Sequence, residues 1–260
     1  FAFRRLTPKR SAQHSRMKVP TNHPGIYANL RNQNPNEAFV GQVNRALDTI
    51  ASGPNGRALL RSIGEVHARS GHSTAVHQVA CGSYSGPVLS ARQRHAIGLP
   101  KRELLTSQLI AEQIPRTPRN ASGCTDGSDA LVGWNPRESL DINAQGQPVL
   151  NLRNPQDDFV GLAHELVHAK RTMTGEDLGS EGDATDRTTP LGFEEAMATG
   201  LPHGGPDFPP QSENGVRMDH GQPLRTQYEV AFESEEEVEG PDTEIPTPSP
   251  SPTQFGSPER

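Results

Sequence analysis

His164 and His168 stand four residues apart in the run His164-Glu165-Leu166-Val167-His168. On an α-helix, residues at that spacing share one face, one turn above each other. Two imidazoles so placed can grip one zinc ion at about 2.0–2.1 Å from each ring nitrogen. Glu165 projects beside the same face, where a carboxylate can take a proton from water at the metal. A rival reading makes the pair satisfied core histidines, but three polar side chains on an otherwise apolar helix then need buried partners.

The flanks fit a helix from Asp157 to Met173. Asp157 and Asp158 suit the positive end of a helix dipole, Lys170 and Arg171 suit its negative end, and Gly175 can stop it. Phe159, Val160, Leu162, Ala163, Leu166, Val167 and Ala169 supply a face to bury. On a helix, H-E-x-x-H is the signature of zinc metallopeptidases. Such a site needs a third protein ligand. The next helical segment, Gly192 to Gly200, carries Glu194 and Glu195 beyond a Gly/Asp/Thr-rich loop from Thr174 to Pro190. Either glutamate can be the ligand, and the spacing does not decide. The loop acids Glu176, Asp177, Glu181, Asp183 and Asp186 are expected in solvent, because little apolar sequence surrounds them. His203 and His220 are further ligand candidates on chemistry alone.

Five ordered blocks carry a family resemblance over Asn36 to Val230. They are Val132-Gly133-Trp134-Asn135-Pro136, Gly161 to Ala169 around the histidines, Glu194-Glu195 with Gly200, Ser212-Glu213-Asn214, and Pro223-Leu224-Arg225-Thr226-Gln227-Tyr228. Together they resemble the NleD-like zinc metallopeptidases, effectors that Gram-negative pathogens inject through the type III secretion system. The H-E-x-x-H run with the last three blocks is also similar to the catalytic site of clostridial neurotoxin light chains. The resemblance implies one Zn2+ held by His164, His168 and Glu195, with Glu194 in support; His203 and His220 rank below Glu195 because histidines are common in loops. It implies that Glu213, twelve residues before Arg225, bonds a ligand histidine and fixes its tautomer. Arg225 and Tyr228 would face the substrate carbonyl and stabilise the oxyanion that forms there. Each position also has a plainer reading: Glu194-Glu195 as an exposed acidic pair, Arg225 and Tyr228 as a strand-edge pair, Ser212-Glu213-Asn214 as a capped helix start. Ala196-Met197-Ala198 departs from the more polar, Arg-containing stretch expected after the glutamates, which puts substrate contacts from that helix in question.

These residues must be positioned by a modest fold. The chain has 260 residues, 32% of them hydrophobic, with 25 glycines and 24 prolines. One domain over residues 36–230 is expected, between a basic leader (1–35) and an acidic Pro/Ser-rich tail (231–260), both disordered. Residues 1–20 hold six Lys/Arg and no acid, whereas 231–260 hold eight acids against Arg260 alone, so the tail dominates the overall −6. No apolar run reaches the roughly 18 residues of a membrane span, and the leader lacks the aromatic-rich pattern of a nucleic-acid binder. In an injected effector the leader carries the secretion signal and the host cytoplasm is the destination. Cys81 and Cys124 are then expected as thiols without catalytic work.

Helical periodicity marks Asn36–Ala51 and, after a break at Gly53-Pro54-Asn55-Gly56, Arg57–Arg69. Ser73–Ala80, Ala130–Trp134 and Pro148–Leu152 suggest strands, while Pro87–Arg119 is basic and without clear period. The expected fold is α+β, a zincin-like metallopeptidase domain with a small sheet packed on the active-site helix. The expected function is zinc-dependent cleavage of a host signalling protein, with mitogen-activated kinases suggested by the resemblance. The alternative is a non-catalytic host-protein-binding effector with a structural zinc, although Glu165 has no evident task in such a site.

Overall fold

Ile26, Ala28 and Leu30 alternate along the chain and all three are buried, as period-two patterning requires of a half-covered strand. They belong to β2 (Ile26–Leu30), which pairs antiparallel with β1 (Met17–Pro20). The structure is a computed structural model and describes residues 17–30, 37–100, 103–114, 125–151, 158–202 and 209–229. β2 runs parallel to β3 (Thr74–Gln78), β3 parallel to β5 (Asp129–Trp134), and β5 antiparallel to β4 (Tyr84–Val88). The sheet order is therefore β1-β2-β3-β5-β4. Ala28, Val76 and Val132 lie in register across three strands and enter the main core. Ala75 and Leu131 point the other way and, with Val88, form a small second cluster.

Residues 17–30 correct the disordered leader drawn through residue 35. Cationic composition suggested disorder, yet Lys18 sits on the outermost strand with its ammonium 5.6 Å over the Tyr27 ring. Charge is well tolerated on an edge strand, so it did not argue against one. The rest of the leader, Cys124, His203 and the tail lie outside the described residues. Cys81 is an exposed free thiol.

Helices α1 (Glu37–Ser52) and α2 (Pro54–Ser70) join β2 to β3. The expected break is narrower than Gly53–Gly56: Pro54 opens α2 in its first turn, where a missing N–H costs nothing. Gly56 must be glycine, because a Cβ there would run into the Ile50 carbonyl. Leu47 and Ile50 from α1, with Leu59 and Ile63 from α2, are fully buried, each contributing roughly 1.5–3 kcal/mol. The stretch Pro87–Arg119, expected to lack a pattern, holds the end of β4, α3 (Ala91–Ala96) and α4 (Leu104–Ala111). A capping box between Ser90 and Gln93 starts α3, a signal the sequence carried. Leu105 and Leu109 on α4 are exposed, so no buried stripe announced that helix.

A separate two-stranded hairpin follows, β6 (Ser139–Ile142) with β7 (Pro148–Asn151). Then come α5 (Asp158–Thr174), α6 (Pro190–Thr199) and α7 (Glu213–Asp219), which complete an α+β architecture. α5 packs on β5 and β4 as well as on α1, α2, α6 and α7, so it is the central helix. No helix among the described residues is long and apolar enough to cross a membrane.

Asp219 ties the end of α7 to the start of α2. Its carboxylate accepts from the Asn55 and Gly56 amides at 2.8 and 2.9 Å and from Asn55 Nδ2 at 2.8 Å. Asp219→Ala should cost about 1–2 kcal/mol of stability. Urea unfolding checks this as a lowered midpoint with an unchanged slope.

Candidate active site

α5 brings His164 and His168 to one face, with ring centroids 4.9 Å apart. The helix is anchored at its first turn by the Trp134 indole N–H, which donates to the Asp158 carbonyl at 3.1 Å. Thr189 caps α6, and the left-handed Gly200 ends it. A Cβ at Gly200 would strike Ser212 Oγ, so this glycine lets the chain pass closely to the start of α7. That approach delivers Glu195 and Glu213 to the histidines from two further helices.

The contacts form a triangle. His164 Nε2 lies 3.1 Å from Glu195 Oε2, His168 Nε2 lies 3.3 Å from the same oxygen, and the two ring nitrogens are 3.2 Å apart. Three ligands of a tetrahedral zinc site stand about 3.3 Å from one another, given bonds of about 2.0–2.1 Å. The donor set, two imidazoles and one carboxylate, is also one that zinc takes. These three are the one group among the described residues that offers three ligating atoms to a metal.

Lone pairs explain why the triangle calls for a cation. His164 Nδ1 lies 3.0 Å from Glu213 Oε2 and donates its hydrogen there, which leaves Nε2 unprotonated in the neutral ring. That lone pair then faces a carboxylate oxygen. Burial opposes a charged His164, but hydrogen bonds to Glu195 and Glu213 outweigh it and raise its pKa to about 10. Burial likewise opposes the charged Glu195, yet the two histidines hold its pKa well below the usual carboxylate range. The cluster draws positive charge, and a divalent ion supplies it without a proton.

Glu165 is 8% exposed, and burial raises its pKa above the ordinary glutamate value against the pull of both histidines. It lines a cavity of about 190 Å3 together with His164, His168, Glu195 and Tyr228. Burial first, and then the negative charge of Glu195, push the Tyr228 phenol up, so it stays a hydroxyl donor at neutral pH.

Glu194 and Glu195 part company. Glu194 is 3% exposed and takes a two-pronged ion pair from Arg171, Nε at 2.6 Å and Nη2 at 2.8 Å. It also accepts from the Leu178 amide at 3.0 Å. Glu194 is therefore no exposed acid, and Arg171, expected only to complement the helix dipole, locks α5 to α6. Glu213 is both a capped helix start and a partner of His164: Ser212 Oγ accepts from the Gly215 amide. Burial opposes its charge, but Arg225, foremost among its partners, holds its pKa low.

The Arg225 guanidinium donates to Glu213 Oε2 at 2.8 Å and to the Tyr228 carbonyl at 2.6 Å, and it lines a cleft shared with His164, Glu165 and Tyr228. One expectation changes. Glu176 and Asp177 are half-buried, Asp177 accepting from Thr172 Oγ1 at 3.0 Å, whereas Asp183 and Asp186 are exposed as expected. His220 stacks on Phe159 with centroids 4.8 Å apart and is outside the triangle. Arg217 was missed. It is buried, and its Nε donates to Glu213 Oε1 at 2.8 Å, a partner four residues back that helical spacing could have suggested.

The sequence profile of peptidase family M91, described as effector protein, matches residues 29–228. The chain belongs to this family of effector peptidases, which is the NleD-like family that its motif blocks resemble. No curated protein sequence matches it. Among solved structures it is similar to the catalytic domain of Clostridium botulinum neurotoxin serotype F, with a TM-score of 0.39 and 14% identity over 68% of this chain and 54% of that one. A serotype F light chain gives a TM-score of 0.35 and 14% identity over 60% and 47%. A botulinum neurotoxin serotype HA light chain gives 0.36 and 12% over 58% and 45%. The chain thus spans about half the length of the neurotoxin chains it matches.

Purified wild-type protein should retain zinc through dialysis and Glu195→Ala should lose it, with metal analysis as the measurement. Glu194→Ala should instead strand a buried Arg171 and cost about 3 kcal/mol of stability, with zinc still bound to the folded fraction. Zinc loss confined to Glu194→Ala would reverse the two assignments.

Proposed function

We propose that this chain is a zinc-dependent endopeptidase, an effector delivered through a type III secretion system that cuts a host signalling protein in the host cytoplasm. One observation carries the catalytic reading: three ligating atoms at tetrahedral spacing, with the buried carboxylate of Glu165 beside them. A zinc ion bound by His164, His168 and Glu195 supplies Lewis acidity, which polarises a carbonyl and makes water acidic near neutral pH.

The chain's own residues do the rest. Glu165 takes the proton from the attacking water and later hands it to the leaving amine. Burial raises its pKa above the ordinary glutamate value, which makes the carboxylate a better proton acceptor than an exposed one. Tyr228 keeps its hydroxyl proton and donates to the carbonyl oxygen as that oxygen gains charge. Arg225 neutralises Glu213 and fixes the backbone of Tyr228, so its contribution runs through those two groups. Glu213 holds the tautomer of His164 that presents Nε2 to the metal. Glu194 and Arg171 keep α6 in register so that Glu195 reaches both rings.

Membership of an effector peptidase family supports a host protein as substrate. The resemblance to NleD-like effectors makes mitogen-activated kinases the first substrates to test.

Glu165→Gln should keep zinc and fold but lower cleavage roughly 100- to 10,000-fold. Incubation of purified kinases with zinc-loaded wild type and variant, followed by mass spectrometry of the fragments, measures it. Equal cleavage by both proteins removes Glu165 from the mechanism. Kinases left intact while other proteins are cut remove only the substrate class. Glu213→Gln should weaken zinc binding by about 10- to 100-fold, read by competition with a chelator.

A further inference from the structure

The β6–β7 hairpin stands apart from the main sheet, and an isolated two-stranded hairpin is marginal in water. It is held by polar pins rather than by burying its apolar side chains. Arg217 Nη2 donates to the Leu140 carbonyl at 3.0 Å, and the Thr226 amide donates to the Gly146 carbonyl at 2.9 Å. Leu140 and Leu150 face each other across the hairpin, and Leu150 remains 45% exposed. Neither leucine belongs to either core cluster, and Leu140 is half-buried. The exposed part of their shared face is thus fixed in place by those pins.

That surface walls a cavity of about 730 Å3 that runs to His164, Glu165 and Tyr228. The volume is in the range of a ligand-binding cleft. Of the charged residues on its lining, Glu213, Arg217 and Arg225 are paired with one another and Glu138 accepts from the Gly82 amide and Asn135 Nδ2, while Glu165 and Glu229 add carboxylates from segments outside the hairpin. An apolar side chain loses no hydrogen bond on entering and covers leucine surface that water now touches.

We propose that Leu140 and Leu150 form a specificity subsite that takes a bulky apolar side chain of the substrate next to the bond being cut. This rests on the zinc peptidase reading above and adds the chemistry of the residue that is chosen. Arg217 links subsite to chemistry, because one guanidinium holds both the hairpin carbonyl and the carboxylate that orients His164.

Glycine hydroxamate and leucine hydroxamate separate the two claims, since both offer the same metal-binding group and differ in the side chain. With zinc-loaded full-length protein, calorimetry should show leucine hydroxamate binding about 10-fold tighter or more. Leu150→Asp should erase that difference while leaving glycine hydroxamate affinity, zinc content and thermal stability in place, and Leu150→Met should retain it. Equal affinities in wild type, or a preference that survives in Leu150→Asp, overturns the subsite. Failure of both hydroxamates to bind, with no zinc retained, overturns the metal reading and the subsite with it.

Discussion

The carboxylate of Glu213 is the constraint on which the site depends. It is 1% exposed, and a lone charge at that depth would cost several kcal/mol. It is tolerated because Arg217 serves one oxygen while Arg225 and His164 serve the other. Each partner comes with its own piece of chain: α5 with His164, the segment before Tyr228 with Arg225, and the hairpin through the second arm of Arg217. One buried charge therefore fixes the His164 imidazole, the phenol and the cleft wall relative to one another. Asn214, the next residue on α7, reinforces this by exchanging hydrogen bonds with the backbone of Arg225 at both its N–H and its carbonyl.

A second buried ion pair solves a different problem. Consecutive residues on a helix point about 100° apart, so Glu194 and Glu195 cannot both face the histidines. Arg171 claims Glu194 and thereby sets the rotation of α6 about its own axis. Glu195 is left pointing at the two rings. The two-pronged guanidinium contact is directional, and so it holds the Glu195 carboxylate close to both rings. The same contact also consumes the charge of an arginine lying one turn beyond His168.

Below the site, the scaffold is conventional in its physics. Apolar stripes on α1 and α2 cover one face of the sheet, and α5 is buried between them and β5. This leaves the imidazole face of α5 turned toward α6, α7 and the cleft. The helix is apolar elsewhere because the core requires it, and polar where the ligands meet.

The sequence by itself determined the pieces whose signals are local. The four-residue spacing of His164 and His168 put two imidazoles on one helix face with Glu165 beside them, and apolar periodicity marked α1, α2 and α5. Ordered motif blocks pointed to Glu195 over Glu194, although spacing could not choose between them. Short elements escaped: β1 and β2 were hidden by the cationic leader, and β4, α3 and α4 by exposed leucines and a proline. What only the tertiary structure decided is who partners whom. Glu194 with Arg171 and His164 with Glu213 are separated by 23 and 49 residues, and Arg225 braces Glu213 from another segment of chain. A buried charge finds whichever opposite charge the packed helices bring near it, and no local pattern records that choice.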